Sequence, residues 1–260
     1  MTTQLNGALI LVTRPAAQAE NLCQLLESAG GKAFRFPTLD IQATALDTNQ
    51  LQKALNSQWL IFTSTNAVDF ALQAFSGKMA ELNFLQLAAV GQATANALQQ
   101  ANLTVNCVPA TDFSSEGLLA EPAMQQVVGQ QITIVRGVGG REKLAQTLTS
   151  RGAKVGYLEV YCRSCPETNC MQVVQAIRNN LLQAITITSG EALQNLLSML
   201  DESSAVLLRK LPLVVASERI RHLAHELGFT QIVVSLQPTD AAILETLTTL
   251  LSGEYSGRSN

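Results

Sequence analysis

Short polar segments follow strand-like runs at four places in the sequence, each just before a helical run. They span residues 63–66, 91–94, 188–190 and 217–219. Where a helix begins directly after a parallel strand, the unpaired N–H groups of its first turn bind carboxylates or phosphates. The hydroxyl side chains in these segments also cap helices, which is sufficient to explain any one of them. Four such segments in one chain indicate that the protein binds an anion.

Arginines stand at two equivalent strand ends, Arg14 and Arg136, and Arg141 follows in the run RGVGGRE. A guanidinium at a strand end gives a bidentate partner for a carboxylate. A surface salt bridge is an equally good interpretation of each of them. The glycines of the run allow a tight turn or a close approach of the backbone to a ligand.

The same glycine run approaches the dinucleotide fingerprint, with Gly137, Gly139 and, further on, Glu159 at about the separation of a ribose-binding acid. The third glycine is missing, and the equivalent run RPAAQAE has no glycine. We therefore do not expect a nicotinamide or flavin site.

Two further groups of residues have types suited to chemistry. Tyr161 ends a strand-like run, and its phenol, protonated at neutral pH, is able to donate a proton to a departing oxygen. Spacing alone favours a half-buried tyrosine that anchors a linker. The second group consists of three clustered cysteines and two histidines of a helical run: Cys162, Cys165, Cys170, His222 and His225. Cysteine and histidine together suggest a zinc site, but here the cysteines and the histidines are far apart in sequence. Incidental thiols and surface histidines are the better interpretation, and we expect no metal.

Composition excludes several classes of protein. The chain has 260 residues, of which 47% are hydrophobic and 14% charged, with a net charge of −3 at pH 7. This is too apolar for a disordered chain and too acidic for a nucleic-acid-binding surface. No apolar run approaches the roughly 20 residues that span a bilayer, so no membrane partner is expected. Five cysteines without an export signal favour reduced thiols in the cytoplasm.

Strand-like runs alternate with helical periodicity along the whole chain, which predicts an α/β fold with mostly parallel sheets. The glycine pair 30–31 ends the first helical segment. The strand-like segments are residues 8–12, 33–36, 59–62, 87–90, 103–107, 132–135, 155–160, 184–187, 213–215 and 232–234.

The sequence also repeats itself, which predicts two similar α/β halves. Residues from Leu11 align with residues from Ile134, and the later segments around Ser64 and Ser189 align at nearly the same offset. Two arrangements fit this repeat. One is a simple division near Gly129, and the other is a discontinuous first half with paired linkers near residues 37–40 and 157–161.

The order of short motifs along the chain resembles the uroporphyrinogen-III synthase family. The motifs are VTRP, FTSTNAV, AVGQATANAL, SSEGLL, VRGVGGRE, EVYCRSCP, ITSGEAL and VASERI. The resemblance covers nearly the whole chain and rests on the order of the motifs rather than on any one of them.

The resemblance implies two flavodoxin- or Rossmann-like parallel-sheet domains, with the active site in the cleft between them. Residues 1–37 and 162–260 would form a discontinuous domain 1, and residues 41–155 an inserted domain 2. Linker strands would lie at 38–40 and 156–161. The family cyclises the linear tetrapyrrole hydroxymethylbilane to uroporphyrinogen III in heme biosynthesis, with loss of water and inversion of the terminal pyrrole ring. It uses no metal and no organic cofactor.

By position, the resemblance makes Tyr161 the acid that helps water leave. It implies carboxylate-binding roles for ten residues: Arg14, Ser64, Thr65, Asn66, Ser115, Arg136, Arg141, Ser189, Ser217 and Arg219. The expected partner is this polycarboxylate substrate, bound by a cytoplasmic monomer with transient contact to the preceding pathway enzyme. The alternative function is a non-catalytic two-domain protein that binds a small anionic ligand.

Overall fold

The computed structural model describes residues 5–252, which form ten β-strands and thirteen α-helices. Contacts divide the described chain into two compact units. Unit 1 combines the residues up to Asp40 with those from Ser164 onward, and unit 2 is Ile41–Arg163. The predicted fold class, two α/β domains, is confirmed.

Strands and helices alternate, as the periodicity predicts. The strands are β1 (Leu9–Val12), β2 (Lys32–Arg35), β3 (Asp40–Ala43), β4 (Trp59–Phe62), β5 (Gln86–Ala89), β6 (Gln131–Gly137), β7 (Lys154–Ser164), β8 (Leu182–Ile187), β9 (Leu213–Val215) and β10 (Ile232–Val234). The helices are α1 (Ala16–Ser28), α2 (Thr48–Leu55), α3 (Thr65–Ala74), α4 (Met79–Leu82), α5 (Gln92–Gln100), α6 (Ser115–Ala120), α7 (Pro122–Gln125), α8 (Lys143–Ser150), α9 (Met171–Arg178), α10 (Gly190–Ser198), α11 (Glu202–Leu208), α12 (Glu218–Glu226) and α13 (Asp240–Leu251).

Unit 1 is a doubly wound parallel sheet with the strand order β10-β9-β8-β1-β2. Counted along the unit, this is the flavodoxin-like order 2-1-3-4-5, read from the other edge. Alternate residues of β1 enter different cores, because successive side chains of a strand point to opposite faces. Ile10 and Val12 pack with α1 and α13, whereas Leu11 packs with α9 to α12.

Unit 2 has the related strand order β3-β7-β6-β4-β5, in which the first strand, β3, occupies the edge that the last strand, β10, occupies in unit 1. The strands β4 and β6 are neighbours and parallel, but the helices that follow them cover opposite faces of the sheet. Val68 of α3 belongs to one core and Leu144 of α8 to the other. Such a change of side is a topological switch point, and it leaves a crevice at the carboxyl ends of the two strands.

The expected strand at residues 103–107 is wrong. In this stretch the structure has a single bridge, between Ala88 and Cys107. The side chain of Asn106 accepts a hydrogen bond from the Leu87 N–H group at 2.8 Å. The N–H group of β5 that would pair with the backbone of a neighbouring strand therefore binds a side chain instead.

Both boundaries between the two units fall within a strand, near the start of β3 and near the end of β7. Contacts divide the described chain after Asp40 and after Arg163, and β7 continues to Ser164. Residues 156–161 pair with β6 through most of their length. The domain limits at 37, 41, 155 and 162, and the linker role of residues 38–40 and 156–161, stay predictions. In the described range, every helix is too short or too polar to cross a bilayer.

Candidate functional site

A cavity of about 260 Å³ lies at the switch point of unit 2, beyond the carboxyl ends of β4 and β6. Backbone of the glycine-rich loop 137–140 forms one side of it. Its polar side chains are those of Thr63, Ser64, Ser115, Arg136, Arg141, Tyr161 and Arg163. Five of these were predicted site residues, and the parallel topology brings them together from four separate segments of the chain.

Tyr161 is the most buried ionisable side chain of this lining, with 3% of its surface exposed. Its ring stacks on Phe70 of α3, with the ring centroids 5.5 Å apart. The Tyr161 hydroxyl lies 3.2 Å from the Ser64 hydroxyl, and the Arg163 guanidinium donates to it at 3.2 Å. The phenol oxygen is thus held at the cavity wall by two side chains.

Gly137 leaves the space that the Tyr161 ring occupies. A Cβ atom at position 137 would lie 2.5 Å from Cε2 and 2.6 Å from Cζ of the ring. Distances this short are well inside van der Waals contact, so only glycine allows the ring to lie here.

A register shift directs Tyr161 toward α3. Arg136 is paired with Glu159, but the next residue, Gly137, is paired with Tyr161 rather than with Val160. As in a β-bulge, the extra residue re-aims the side chains that follow it. Leu158, Val160 and Tyr161 consequently all enter the core that contains α3, which strict alternation would not permit.

Ser64 has two roles in the structure. It is the N-cap residue of α3, and its hydroxyl accepts a hydrogen bond from the Ala67 N–H group at 3.1 Å. It also contacts Tyr161, as described above. Thr65 and Asn66 lie in the first turn of α3 but outside the cavity lining.

Arg136 is held by partners of its own chain. It donates to Glu142 at 2.9 Å and to Glu159 at 3.1 Å, and its guanidinium carbon lies 3.7 Å from the Tyr157 ring centroid. Burial acts to lower the pKa of Arg136, but the hydrogen bonds to the two carboxylates outweigh it and raise that pKa. Hydrogen bonds from Tyr157 and Arg136 lower the pKa of Glu142.

This cluster fixes the glycine-rich loop. Glu159 also accepts a hydrogen bond from the Gly139 N–H group at 3.2 Å. Gly139 and Gly140 have φ values of 75° and 107°, which strongly favour glycine. Because Glu159 binds Arg136 and the loop, it is not available as the ribose-binding acid of a dinucleotide site.

Arg141 approaches the cavity from a loop and Ser115 from the start of a helix. Arg141 follows the glycines, and Ser115 is the first residue of α6, whose N-cap is Ser114. Capping is therefore done by Ser114, and the Ser115 side chain is placed in the cavity wall.

The other predicted residues lie at the carboxyl edge of the unit 1 sheet. Arg14 forms an ion pair with Asp240 at the start of α13. Ser189 caps α10 by accepting from the Ala192 N–H group at 3.1 Å. Ser217 is the N-cap residue of α12 without a side-chain capping bond, and Arg219 is exposed in the first turn of that helix.

One lining residue, Arg163, was missed by the sequence analysis. The signal was its position two residues after Tyr161 in a strand, since residues i and i+2 share a face. Among residues 5–252, no group of three or more His, Cys, Asp and Glu side chains is arranged to hold a metal ion, and all five cysteines are free thiols.

The fold and the cavity define a class of protein: a two-unit, doubly wound α/β protein with a cationic and hydroxyl-lined site at a switch point. The family model for uroporphyrinogen-III synthase HemD matches residues 20–245. The chain therefore belongs to the uroporphyrinogen-III synthase family, whose members are enzymes of porphyrin biosynthesis.

Characterised relatives and solved structures agree with this family. The chain is 32% identical to uroporphyrinogen-III synthase of Salmonella typhimurium and of Escherichia coli, over 92% of this chain and 99% of each relative. A mutant uroporphyrinogen III synthase from Thermus thermophilus matches with a TM-score of 0.67 and 17% identity. The uroporphyrinogen-III synthetase of Helicobacter pylori matches with a TM-score of 0.62 and 16% identity. Each of these two matches spans 94% of this chain and 99% of the solved structure's chain, and together they show that this chain has the same fold.

Proposed function

We propose that this protein converts hydroxymethylbilane to uroporphyrinogen III. The terminal C–O bond of the linear tetrapyrrole breaks, and the hydroxyl leaves with a proton as water. A new C–C bond then closes the macrocycle with the last pyrrole inverted, and a pyrrole carbon releases the balancing proton. The match to the family over residues 20–245 carries this proposal. A non-catalytic anion-binding protein is not favoured.

Tyr161 is the proposed acid for the departure of water. It lines the cavity, its hydroxyl is fixed by neighbouring side chains, and a phenol is able to donate its proton. Cys162 is the next residue but does not line the cavity.

The substrate carboxylates are the proposed ligands of the remaining site residues. Ser64, Ser115 and Arg141 offer hydroxyl and guanidinium donors in unit 2, and Ser189, Ser217 and Arg219 offer similar groups in unit 1. First-turn N–H groups add to these donors without a net positive charge on the protein. Thr65 and Asn66 are proposed to bind from the start of α3. Arg14 and Arg136 already pair with carboxylates of their own chain, so we propose that they mainly hold the loops in place.

The elimination of water makes the proposed enzyme a lyase. The conversion is neutral in electrons, so it requires no redox cofactor, and a phenol supplies the acid. We further propose a monomer that works in the cytoplasm, a reducing compartment that suits its five free thiols, and that briefly contacts the preceding enzyme.

The proposal is tested by giving the purified protein freshly made hydroxymethylbilane without any added cofactor. After oxidation, the porphyrin isomers are separated and counted. We expect mainly isomer III, because the enzyme holds the terminal pyrrole for inversion, whereas unassisted closure gives isomer I. Isomer I alone, formed at the rate of a blank, would contradict the proposal, and ligand binding without turnover would then favour a binding protein.

Gly137→Ala should lower the rate of isomer III formation at least tenfold. The added Cβ cannot coexist with the Tyr161 ring, so the ring and its hydroxyl must move, and misplacing a catalytic group by about 1 Å costs on the order of 100-fold. Gly156→Ala is the matched control on the adjacent strand, because nothing lies within 4 Å of its Cβ position. The interpretation is wrong if both variants retain the wild-type kcat.

A further inference from the structure

We infer that Arg163 is a positioning residue that orients the Tyr161 hydroxyl and stabilises it after proton transfer; this rests on the proposed function, in which Tyr161 is the acid. The two residues are on β7, two positions apart, and both line the unit 2 cavity. The Arg163 Nη2 atom lies 3.2 Å from the Tyr161 hydroxyl oxygen. The guanidinium carbon lies 5.5 Å from the ring centroid.

The direction of this hydrogen bond is set by chemistry. A guanidinium has N–H donors and no acceptor, so the phenol oxygen must accept. The single phenol proton is then left for another acceptor. The Ser64 hydroxyl oxygen is 3.2 Å away and already accepts from the Ala67 N–H group. The Tyr161 proton therefore points to Ser64 or into the cavity, and the second direction suits donation to a ligand in the cavity.

The contact should become stronger during the reaction. When the Tyr161 O–H bond breaks and the proton joins the leaving hydroxyl, the phenol becomes a phenolate beside a guanidinium. Hydrogen bonds to a charged acceptor are stronger than those between neutral groups. An interaction that strengthens in this way lowers the barrier rather than only binding the substrate. The proton released on ring closure restores the phenol.

A second role would give a different kinetic result. A cationic side chain at the cavity wall is also suited to binding a substrate carboxylate directly. Loss of such a contact weakens ground-state and transition-state binding together, which raises KM and leaves kcat unchanged. The positioning role instead lowers kcat, and it has an effect only while the Tyr161 hydroxyl is present.

The experiment measures kcat and KM for isomer III formation in Arg163→Met, Arg163→Lys, Tyr161→Phe and the Met/Phe double variant. We expect Arg163→Met to lower kcat about 10- to 100-fold with KM nearly unchanged. Arg163→Lys should recover part of kcat because an ammonium also donates to the phenol oxygen. The double variant should be no slower than Tyr161→Phe. Arg178→Met, which removes an exposed arginine paired with Asp201, should behave as wild type.

Three outcomes would overturn the inference. These are a raised KM with kcat preserved, an Arg163→Met effect that persists in the Tyr161→Phe background, and a Tyr161→Phe variant with wild-type kcat. Far-UV circular dichroism and Trp59 fluorescence check folding, and the lysine variant keeps the test valid if the methionine variant does not fold. Failure of the proposed function is distinguishable, because the wild-type protein itself would then form no isomer III.

Discussion

Tyr161→Phe should lower kcat for isomer III formation by about 100-fold, since a positioned general acid contributes a factor of 100 or more. KM should stay close to the wild-type value. The substitution removes the hydroxyl alone, and the ring keeps its stacking on Phe70 and its place beside Gly137. Steady-state rates combined with isomer separation measure this effect.

Tyr157→Phe provides the matched control. Tyr157 is on the same strand, but its hydroxyl donates to Glu142 and it does not line the cavity at the switch point. We expect wild-type kcat for this variant. Equal rates for both phenylalanine variants would remove Tyr161 from the mechanism while leaving the family assignment intact.

Gly117→Ala should destabilise unit 2 by about 3 kcal/mol, the upper part of the usual range for overpacking a well-packed site. A Cβ atom here would lie 1.8 Å from the backbone oxygen of Asp112. Relief requires movement of backbone rather than of a flexible side chain. The same turn ends at the Ser114 cap of α6, so Ser115 should also leave the cavity wall.

Urea unfolding followed by Trp59 fluorescence measures this loss, because the single tryptophan is buried in the core that contains α6. Gly190→Ala is the comparison in unit 1. Its Cβ would meet only the Leu223 Cδ2 atom, at 2.8 Å, which is the far end of a flexible side chain and is able to move, so the loss of stability should be small. A Trp59 transition unchanged by Gly117→Ala would contradict the packing argument.

Much of the fold follows from patterns within a few residues. The apolar runs of β1 and β4 are buried on both faces, and Gly30 ends α1 with φ of 78°. Such features depend on side-chain periodicity and backbone sterics, which neighbouring residues specify. The internal repeat predicted a second unit of the same kind, since similar segments bury similar faces. The prediction of a strand at residues 103–107 was wrong, because the Asn106 side chain accepts a hydrogen bond from the backbone of the adjacent strand.

Some features of the candidate site were likewise recognisable from local sequence, and others depended on the fold. Hydroxyl residues at helix starts, as at Ser64 and Ser189, were recognisable because capping is local. The resemblance to the family, rather than spacing, singled out Tyr161. For Arg14 and Arg136 the sequence left a salt bridge and a ligand contact equally open. The structure pairs both with carboxylates of their own chain, and the identity of those partners depends on the packing of distant segments.

Tertiary structure decided where the Tyr161 and Arg163 side chains lie. The predicted strand ended at residue 160, and only the structure extends β7 to Ser164. Both residues are therefore on one strand, where period-two alternation puts them on one face. The face itself depended on the register shift between β6 and β7, which directs the tyrosine ring between Phe70 and Gly137. Register is a property of two strands paired along their length, and a shift of one residue exchanges the faces of all side chains beyond it.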